Sequence, residues 1–159
     1  MHLMSEDAFR RLKERWDKCV ERINDPKMVD VEITLSMLLL NKLDELVTIF
    51  SCQGHPTPQK PRAVGSMMFG VRDPKAVYRF YELLKETLET EKQAVSLVLQ
   101  YKKDITLRGT PNQPWYPVWI VRWQILHETA AETWLKVNNA AVQVAAEFKG
   151  EGHVSNQAG

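Results

Sequence analysis

Two side chains with reactive chemistry, Cys52 and His55, lie three positions apart in the stretch TIFSCQGHPTP. Such a C-x-x-H pair is half of a typical structural zinc site, which needs about four ligands in tetrahedral geometry. The same pair could act as a nucleophile and its base if a third group oriented the histidine. A purely local role is also open, in which Gly54 supplies a positive φ angle after a strand and Ser51 and His55 hydrogen-bond the turn.

The sequence offers few further metal ligands. The other candidates do not form a second closely spaced pair: Cys19, His127, Glu128 and Glu132. The segment HETAAE begins like a zincin helix, but Ala131 occupies the position where the second histidine is required. Glycine-rich phosphate loops of the dinucleotide-binding and Walker types are absent from the sequence as well. The sequence therefore predicts neither a metal nor another cofactor.

A ligand pocket at the end of this strand is the remaining interpretation, with backbone donors and His55 facing a small molecule or phosphate. Residues 51–126 carry 11 Lys/Arg against 6 Asp/Glu, which a solvated surface explains and which an anion-binding face would also produce. We therefore expect a binding site that combines the turn with basic and aromatic residues of nearby strands and loops. Its candidate residues are Ser51, Cys52, Gly54, His55, Arg72, Trp115 and Arg122.

The basic and aromatic residues suit two kinds of macromolecular partner. Arg and Lys beside Trp and Tyr can contact phosphates and stack on bases, and Arg, Trp and Tyr also dominate the hot spots of protein interfaces. The net charge of the whole chain is only +1, and the sequence has no RNP, KH or helix-turn-helix signature. A nucleic-acid partner therefore has no specific support.

The composition is that of an ordinary globular domain: 159 residues, of which 44% are hydrophobic and 26% charged. No apolar run approaches the roughly 20 residues of a membrane-spanning helix, so we expect no membrane association. Because the chain has only two cysteines, we expect no disulfide framework and a location in the reducing cytoplasm. We predict a single α+β domain over residues 1–149 and a flexible C-terminal tail over residues 150–159.

Hydrophobic periodicity divides the chain into elements in the order ααββαββα. Helices are predicted from Ser5 or Asp7 to Asn24, from Asp30 or Thr34 to Glu45, from Asp73 onward, and from His127 to Lys149. Strands are predicted at Val47–Ser51, at Ser66–Val71 with a bulge at Gly70, at AVSLVLQY with DITLR, and at VWIVRWQIL. One face of the last strand should carry Trp119, Val121, Trp123 and Ile125. The expected fold has two layers, a four-stranded mostly antiparallel sheet packed with about four helices.

The run from the second helix to the second strand carries a more specific pattern. A helix ends in Leu-Asn, T-x-x-S-C-x-G-H follows, and a loop leads to a short apolar strand. The matching positions are Asn41, Thr48, Ser51, Cys52, Gly54 and His55. Over residues 33–72 this pattern resembles small uncharacterised bacteriophage and bacterial proteins. It is more distantly similar to the S-C-S-G-R strand turn of the wybutosine-synthesis methyltransferases, which have arginine where this chain has His55. The resemblance implies that the turn is a family feature and that the chain is of phage type.

Two functions are expected from these observations. The first is a phage-type accessory protein that engages a host protein or sequesters a small anionic, nucleotide-like ligand, without catalysis. The alternative is a small transferase that acts on a nucleotide or RNA, with Cys52 and His55 in its site. The last helix has a heptad-like seam in which Ala130 and Ala141 permit close approach, so it could also form a homodimer.

Overall fold

The fold is taken from a computed structural model, which describes residues 3–20, 30–90, 92–103 and 115–158. Within these ranges the helices are α1 Glu6–Cys19, α2 Thr34–Asn41, α3 Lys75–Glu89 and α4 Ala130–Ala158. The strands are β1 Leu46–Cys52, β2 Arg62–Val71, β3 Val95–Lys103 and β4 Trp115–Leu126. Short 3-10 turns, Val31–Ile33 and His127–Thr129, precede α2 and α4. The predicted order and the α+β class are confirmed.

The strands form a four-stranded sheet in the order β1-β2-β4-β3, in which every neighbouring pair is antiparallel. β2 and β4 lie at its centre, and their register places Ser66 opposite Arg122 and Phe69 opposite Trp119. β1 and β3 are the edge strands, and Cys52 at the end of β1 lies opposite Ser66. The predicted two-layer arrangement of sheet and helices is confirmed.

The main hydrophobic core lies between one face of the sheet and helices α2, α3 and α4. The face of β4 that points into it is the predicted one, with Trp119, Val121, Trp123 and Ile125. Phe69 of β2 makes an edge-to-face contact with Phe80 of α3, with ring centroids 6.2 Å apart. Gly65 lies opposite Trp123 and leaves room for the indole, since a Cβ there would be 2.2 Å from Trp123 Nε1.

α1 packs at the corner of the sheet where β1 begins. Ser5 caps this helix, because its hydroxyl accepts a hydrogen bond from the backbone N–H of Ala8. Phe9 and Leu12 then bury their side chains against Val47 in a second, smaller cluster. The preceding residue, Leu46, points into the main core. Because side chains alternate along a strand, Val47 points to the opposite face. α1 therefore packs on one corner of the sheet face that is opposite to α2, α3 and α4.

Some sequence-based details differ from the structure. The bulge lies in β1 between Thr48 and Phe50, and the prediction of a bulge at Gly70 is wrong. Glycine at position 70 gives space to the N-terminal segment instead, since a Cβ would lie 2.7 Å from the Met4 side chain. β2 begins at Arg62, earlier than predicted, because it pairs with β4 along this additional stretch.

Other predictions concern the ends of elements. The strand predicted at DITLR and the last residues of the first predicted helix lie outside the described residues. α4 continues to Ala158, so residues 150–158 are helical, and the division into a domain and a tail stays a prediction. Ala130 and Ala141 are buried in the main core of this chain. A homodimer, which also stays a prediction, would therefore use another face of α4. None of the helices in the described ranges is long and apolar enough to cross a membrane.

Candidate functional site

The turn after β1 has the backbone conformation of the purely local interpretation, in which Gly54 has a positive φ angle. Ser51 and Cys52 are the last residues of β1, and Gly54 has a φ angle of +85°. A Cβ on Gly54 would also lie 2.6 Å from Ile125 Cγ2, so both the backbone and the packing require glycine. The side chain of His55 follows, 62% exposed. The turn thus packs on the core through Gly54 and presents His55 to solvent.

Asp30, in the segment before α2, joins the two candidate residues of the turn. Its Oδ2 accepts a hydrogen bond from the Gln53 backbone N–H at 2.7 Å and lies 3.3 Å from His55 Nε2. One donor atom from each of Asp30, Cys52 and His55 lies within 4.8 Å of the other two. These three residues form the Asp30–Cys52–His55 cluster, in which Asp30 and Cys52 are half-buried and His55 is exposed.

Helix α4 holds the backbone on which the cluster is built. Trp134 Nε1 donates to the Gln53 carbonyl at 2.8 Å, and the Gln53 side-chain Oε1 accepts from the Glu32 backbone N–H at 3.0 Å. Asn138, one helical turn after Trp134, donates to the Glu32 carbonyl at 2.8 Å. The turn and the segment before α2 are therefore tied to each other and to α4, which fixes the relative positions of the three cluster residues.

A thiol, an imidazole and a carboxylate have two chemical uses in such an arrangement. The carboxylate can orient the imidazole as the base for a cysteine nucleophile, or all three groups can be metal ligands. The partners considered from the sequence, Cys19, His127, Glu128 and Glu132, do not include Asp30. Asp30 lies 22 residues before Cys52, and its only sequence signal is its position at a helix start.

Arg72, another predicted site residue, lies at the far end of β1 from this cluster. Its backbone N–H donates to the Glu45 carbonyl, and its side chain pairs with Glu6 at 3.1 Å and stacks over the Phe9 ring at 4.5 Å. β1 between the two ends has seven residues, and the six steps from Leu46 to Cys52 span about 20 Å. The structure therefore does not bring Arg72 together with Cys52 and His55.

A cavity of about 810 Å³ lies between α1 and the end of α2, beside Arg72. Lys13 projects along it, and its Nζ donates to the carbonyls of Asn41, at 2.8 Å, and Leu43, at 2.5 Å. Burial lowers the pKa of Lys13 to about 8. The charged residues in the lining are of both signs: Glu6, Asp7, Arg10, Lys13, Asp17, Lys42, Asp44 and Arg72. The cavity therefore has no clear preference for an anion, and the sequence gives no motif that indicates it.

Trp115 and Arg122 both belong to β4, although Trp115 falls within a predicted loop. Trp115 is the first residue of the strand, opposite Lys103, and is 62% exposed. Arg122 lies seven residues further along, between Ser66 of β2 and Ser96 of β3. Since Cys52 is in turn opposite Ser66, Arg122 shares a cross-strand row with the start of the turn. The structure therefore places Arg122 near the turn and Trp115 toward the other end of the sheet.

Arg122 lies on the sheet face that points away from α2, α3 and α4, which we call the outer face. Its positions follow from strand alternation and register. Away from the corner under α1 they are Phe50, Cys52, Arg62, Val64, Ser66, Met68, Ser96, Val98, Gln100, Lys102, Val118, Ile120, Arg122, Gln124 and Leu126. This face carries three basic residues and, among its described positions, no acidic one. Phe50 and Val64 are 55% and 58% exposed on it, while Val118 and Ile120 are buried.

Comparison with known proteins adds little to this description. No protein-family model matches the sequence, and no curated protein matches it. Among solved structures, the fold is similar to the PH1069 protein from Pyrococcus horikoshii, with 9% sequence identity and a TM-score of 0.45. The similarity covers 90% of this chain and 95% of that chain. At this identity and score it carries no inference about function.

Proposed function

We propose that this chain is a non-catalytic accessory protein that binds an acidic surface of a partner protein through its outer face. The charge of that face supports the proposal: Arg62, Lys102 and Arg122 lie on it without an acidic residue among its described positions. A whole chain of net charge +1 has almost equal numbers of acids and bases, so a face with bases alone is a local feature. Such a face favours association with negative charge.

The spacing of the three basic residues favours an extended partner over a small ligand. Arg62 lies opposite Leu126, four residues along β4 from Arg122, which is about 13 Å. Lys102 lies opposite Tyr116, six residues from Arg122 in the other direction, or about 20 Å. A nucleotide-sized molecule could contact one of these groups but not all three.

The apolar residues between the charges favour a protein over a nucleic acid. Phe50 and Val64 are exposed, and the half-buried Met68 lies opposite Phe50. Protein interfaces combine such apolar side chains with arginine at their centre. Recognition of single-stranded RNA relies on several aromatic rings for stacking, and Phe50 is the only aromatic residue among the described positions of this part of the outer face. The phage resemblance of the TIFSCQGH run adds the proposal that the partner is a host protein.

The proposal is tested with three defined probes: a glutamate-rich peptide, a uridine RNA oligomer and a free nucleotide. Amide chemical shifts of the ¹⁵N-labelled full chain report where each probe binds. We expect the acidic peptide to shift the amides around Arg62 and Arg122, with an affinity that falls as salt is added. Tighter binding of the RNA or the nucleotide at this face would replace the protein partner with that ligand. Shifts confined to other surfaces would overturn the proposal.

Charge-reversal variants test whether the outer face is the binding surface. Arg62→Glu combined with Arg122→Glu should weaken peptide binding at least about tenfold, or roughly 1.4 kcal/mol. Arg15→Glu combined with Lys18→Glu is the matched control, because both are exposed basic residues of α1 and the double reversal changes the net charge equally. An equal loss in the control would show that net charge, and not the outer face, determines binding. The same variants can then be tested for binding to any host protein that is captured with the wild-type chain.

A second function is favoured by the Asp30–Cys52–His55 cluster. The structure adds to the predicted pair a carboxylate within ion-pair distance of the imidazole, as an activated cysteine requires. This supports the alternative of a small transferase that acts on a nucleotide or RNA. In that case the Cys52 thiol should react with iodoacetamide near neutral pH much faster than an ordinary thiol. His55→Gln should lower the rate of this reaction. Ordinary reactivity that is unchanged in the variant would remove this alternative.

A further inference from the structure

We propose that Asp30, Cys52 and His55 bind a divalent metal ion of the zinc class. The site adjoins the outer face, because Cys52 lies opposite Ser66, but the proposal rests on different residues from those proposed to bind the partner. It departs from the sequence-based expectation of no metal. The further ligands that the sequence offers for the C-x-x-H pair are Cys19, His127, Glu128 and Glu132. The structure supplies the carboxylate of Asp30 instead, so that three different ligand atoms lie within 4.8 Å of one another.

The distances within the cluster suit tetrahedral coordination. Zinc–nitrogen and zinc–oxygen bonds of about 2.0–2.1 Å at tetrahedral angles place the two ligand atoms about 3.3 Å apart. The distance from His55 Nε2 to Asp30 Oδ2 is 3.3 Å. With a zinc–sulfur bond of about 2.3 Å, the Cys52 Sγ should lie about 3.6 Å from each of the other two atoms. Sγ lies within 4.8 Å of one ligand atom of each partner, at most about 1.2 Å beyond this distance.

The cluster is supported in the way that metal ligands usually are. The Asp30 carboxylate accepts the Gln53 N–H, and the carbonyl of the same residue accepts the Trp134 indole N–H. These bonds orient Asp30 and hold the turn that carries His55. Side chains on a flexible loop would lose conformational entropy on binding a metal. Here the Asp30 side chain and the backbone of the turn are already ordered by hydrogen bonds, which lowers that cost.

The identity of the ligand atoms selects the metal. A thiolate excludes magnesium and calcium, which prefer oxygen ligands, and a set with one sulfur, one nitrogen and one oxygen suits zinc best. Three protein ligands leave a fourth tetrahedral position, and the exposure of His55 means that water can reach it. If the metal is bound, Cys52 is a ligand and is no longer available as the free nucleophile of a transferase.

Cobalt(II) is the probe, because it replaces zinc and reports its ligands by absorption. The full-length chain is treated with chelator and titrated with Co²⁺. We expect one equivalent to bind, with a thiolate-to-cobalt charge-transfer band in the near ultraviolet and the visible bands of four-coordinate cobalt. Zn²⁺ should displace it. Failure to bind Co²⁺ stoichiometrically, or binding without the thiolate band, would overturn the proposal.

Four variants assign the ligands. Cys52→Ala should abolish the charge-transfer band, and His55→Gln and Asp30→Asn should each weaken Co²⁺ binding at least about tenfold. His127→Gln is the matched control, since His127 is exposed and lies outside the cluster, and it should bind as the wild type does. If Cys52→Ala does not fold, His55→Gln decides, because its exposed side chain contributes little to the core. Unchanged affinity in His55→Gln, or an equal loss in His127→Gln, would refute this site.

Discussion

Replacement of Gly54 with alanine should destabilise the protein by about 2–5 kcal/mol, from two separate costs. The first is the backbone, because a residue with a Cβ loses about 1–2 kcal/mol in the left-handed region that the φ angle of +85° requires. The second is packing, since the new Cβ would lie 2.6 Å from Ile125 Cγ2 and 3.1 Å from the Gly65 backbone nitrogen. Overpacking of this kind typically costs about 1–3 kcal/mol.

Equilibrium urea denaturation, followed by tryptophan fluorescence, measures the change in the free energy of unfolding. A double-mutant cycle with Ile125→Leu separates the two costs, because leucine has no methyl group at the Cγ2 position. We expect the two substitutions to couple by about 1–3 kcal/mol, with Ile125→Leu alone as the control. The backbone cost should remain in the double variant.

The cycle can refute either half of the reasoning. A loss below about 1 kcal/mol in Gly54→Ala would mean that the turn adapts to a side chain and that neither cost applies. If Gly54→Ala loses the expected stability but its effect and that of Ile125→Leu simply add in the double variant, the backbone conformation is the cause. The packing argument would then be wrong. Because the same turn carries His55, Gly54→Ala should also weaken Co²⁺ binding in any fraction that stays folded.

Three further predictions concern the core and the cavity between α1 and α2. Gly65→Ala would place a Cβ 2.2 Å from the buried Trp123 indole and should cost at least about 3 kcal/mol, measured by the same denaturation experiment. Asn41→Ala should cost about 2–3 kcal/mol, because the buried Thr48 N–H loses its acceptor, and a smaller loss in urea denaturation would contradict this. The pKa of Lys13 is about 8 in the folded chain and 10.5 when unfolded, so the unfolded state binds more protons between these values. The free energy of unfolding should therefore rise with pH across this window. Urea denaturation of the wild type and of Lys13→Met at pH 7.5 and pH 10 should show a smaller rise in the variant.

The features that could be predicted from the sequence depend on neighbouring residues. Alternation along β4 gave the face that carries Trp119 and Trp123, and the position of Gly54 after an apolar run gave its positive φ angle. Both rest on the local geometry of a strand or a turn. Element ends were less accurate, because β2 begins where its partner β4 can pair with it, and the sequence of β2 alone does not contain that information.

The features that were missed depend on residues far apart in the chain. Asp30 reaches the turn only because α4 holds both segments, through Trp134 and Asn138. The sequence suggests Arg72 as a neighbour of the turn because basic residues are frequent between positions 51 and 126. In the fold its charge pairs with Glu6, a residue 66 positions earlier, at the opposite end of β1. Composition cannot reveal such pairings, since they depend on the register of β1 and β2 and on the position of α1.

The Asp30–Cys52–His55 cluster lies where an edge strand ends, so Asp30 has a structural role whether or not a metal binds. Edge strands expose unpaired backbone groups, and at Gln53 both are satisfied, the N–H by Asp30 and the carbonyl by Trp134. Asp30→Asn separates this role from metal binding. The amide oxygen of asparagine can still accept the Gln53 N–H, but its neutral side chain is a poor ligand for zinc. A variant that keeps its stability and loses Co²⁺ would assign the negative charge of Asp30 to the metal. A variant that loses stability as well would show that the charge is needed by the turn itself.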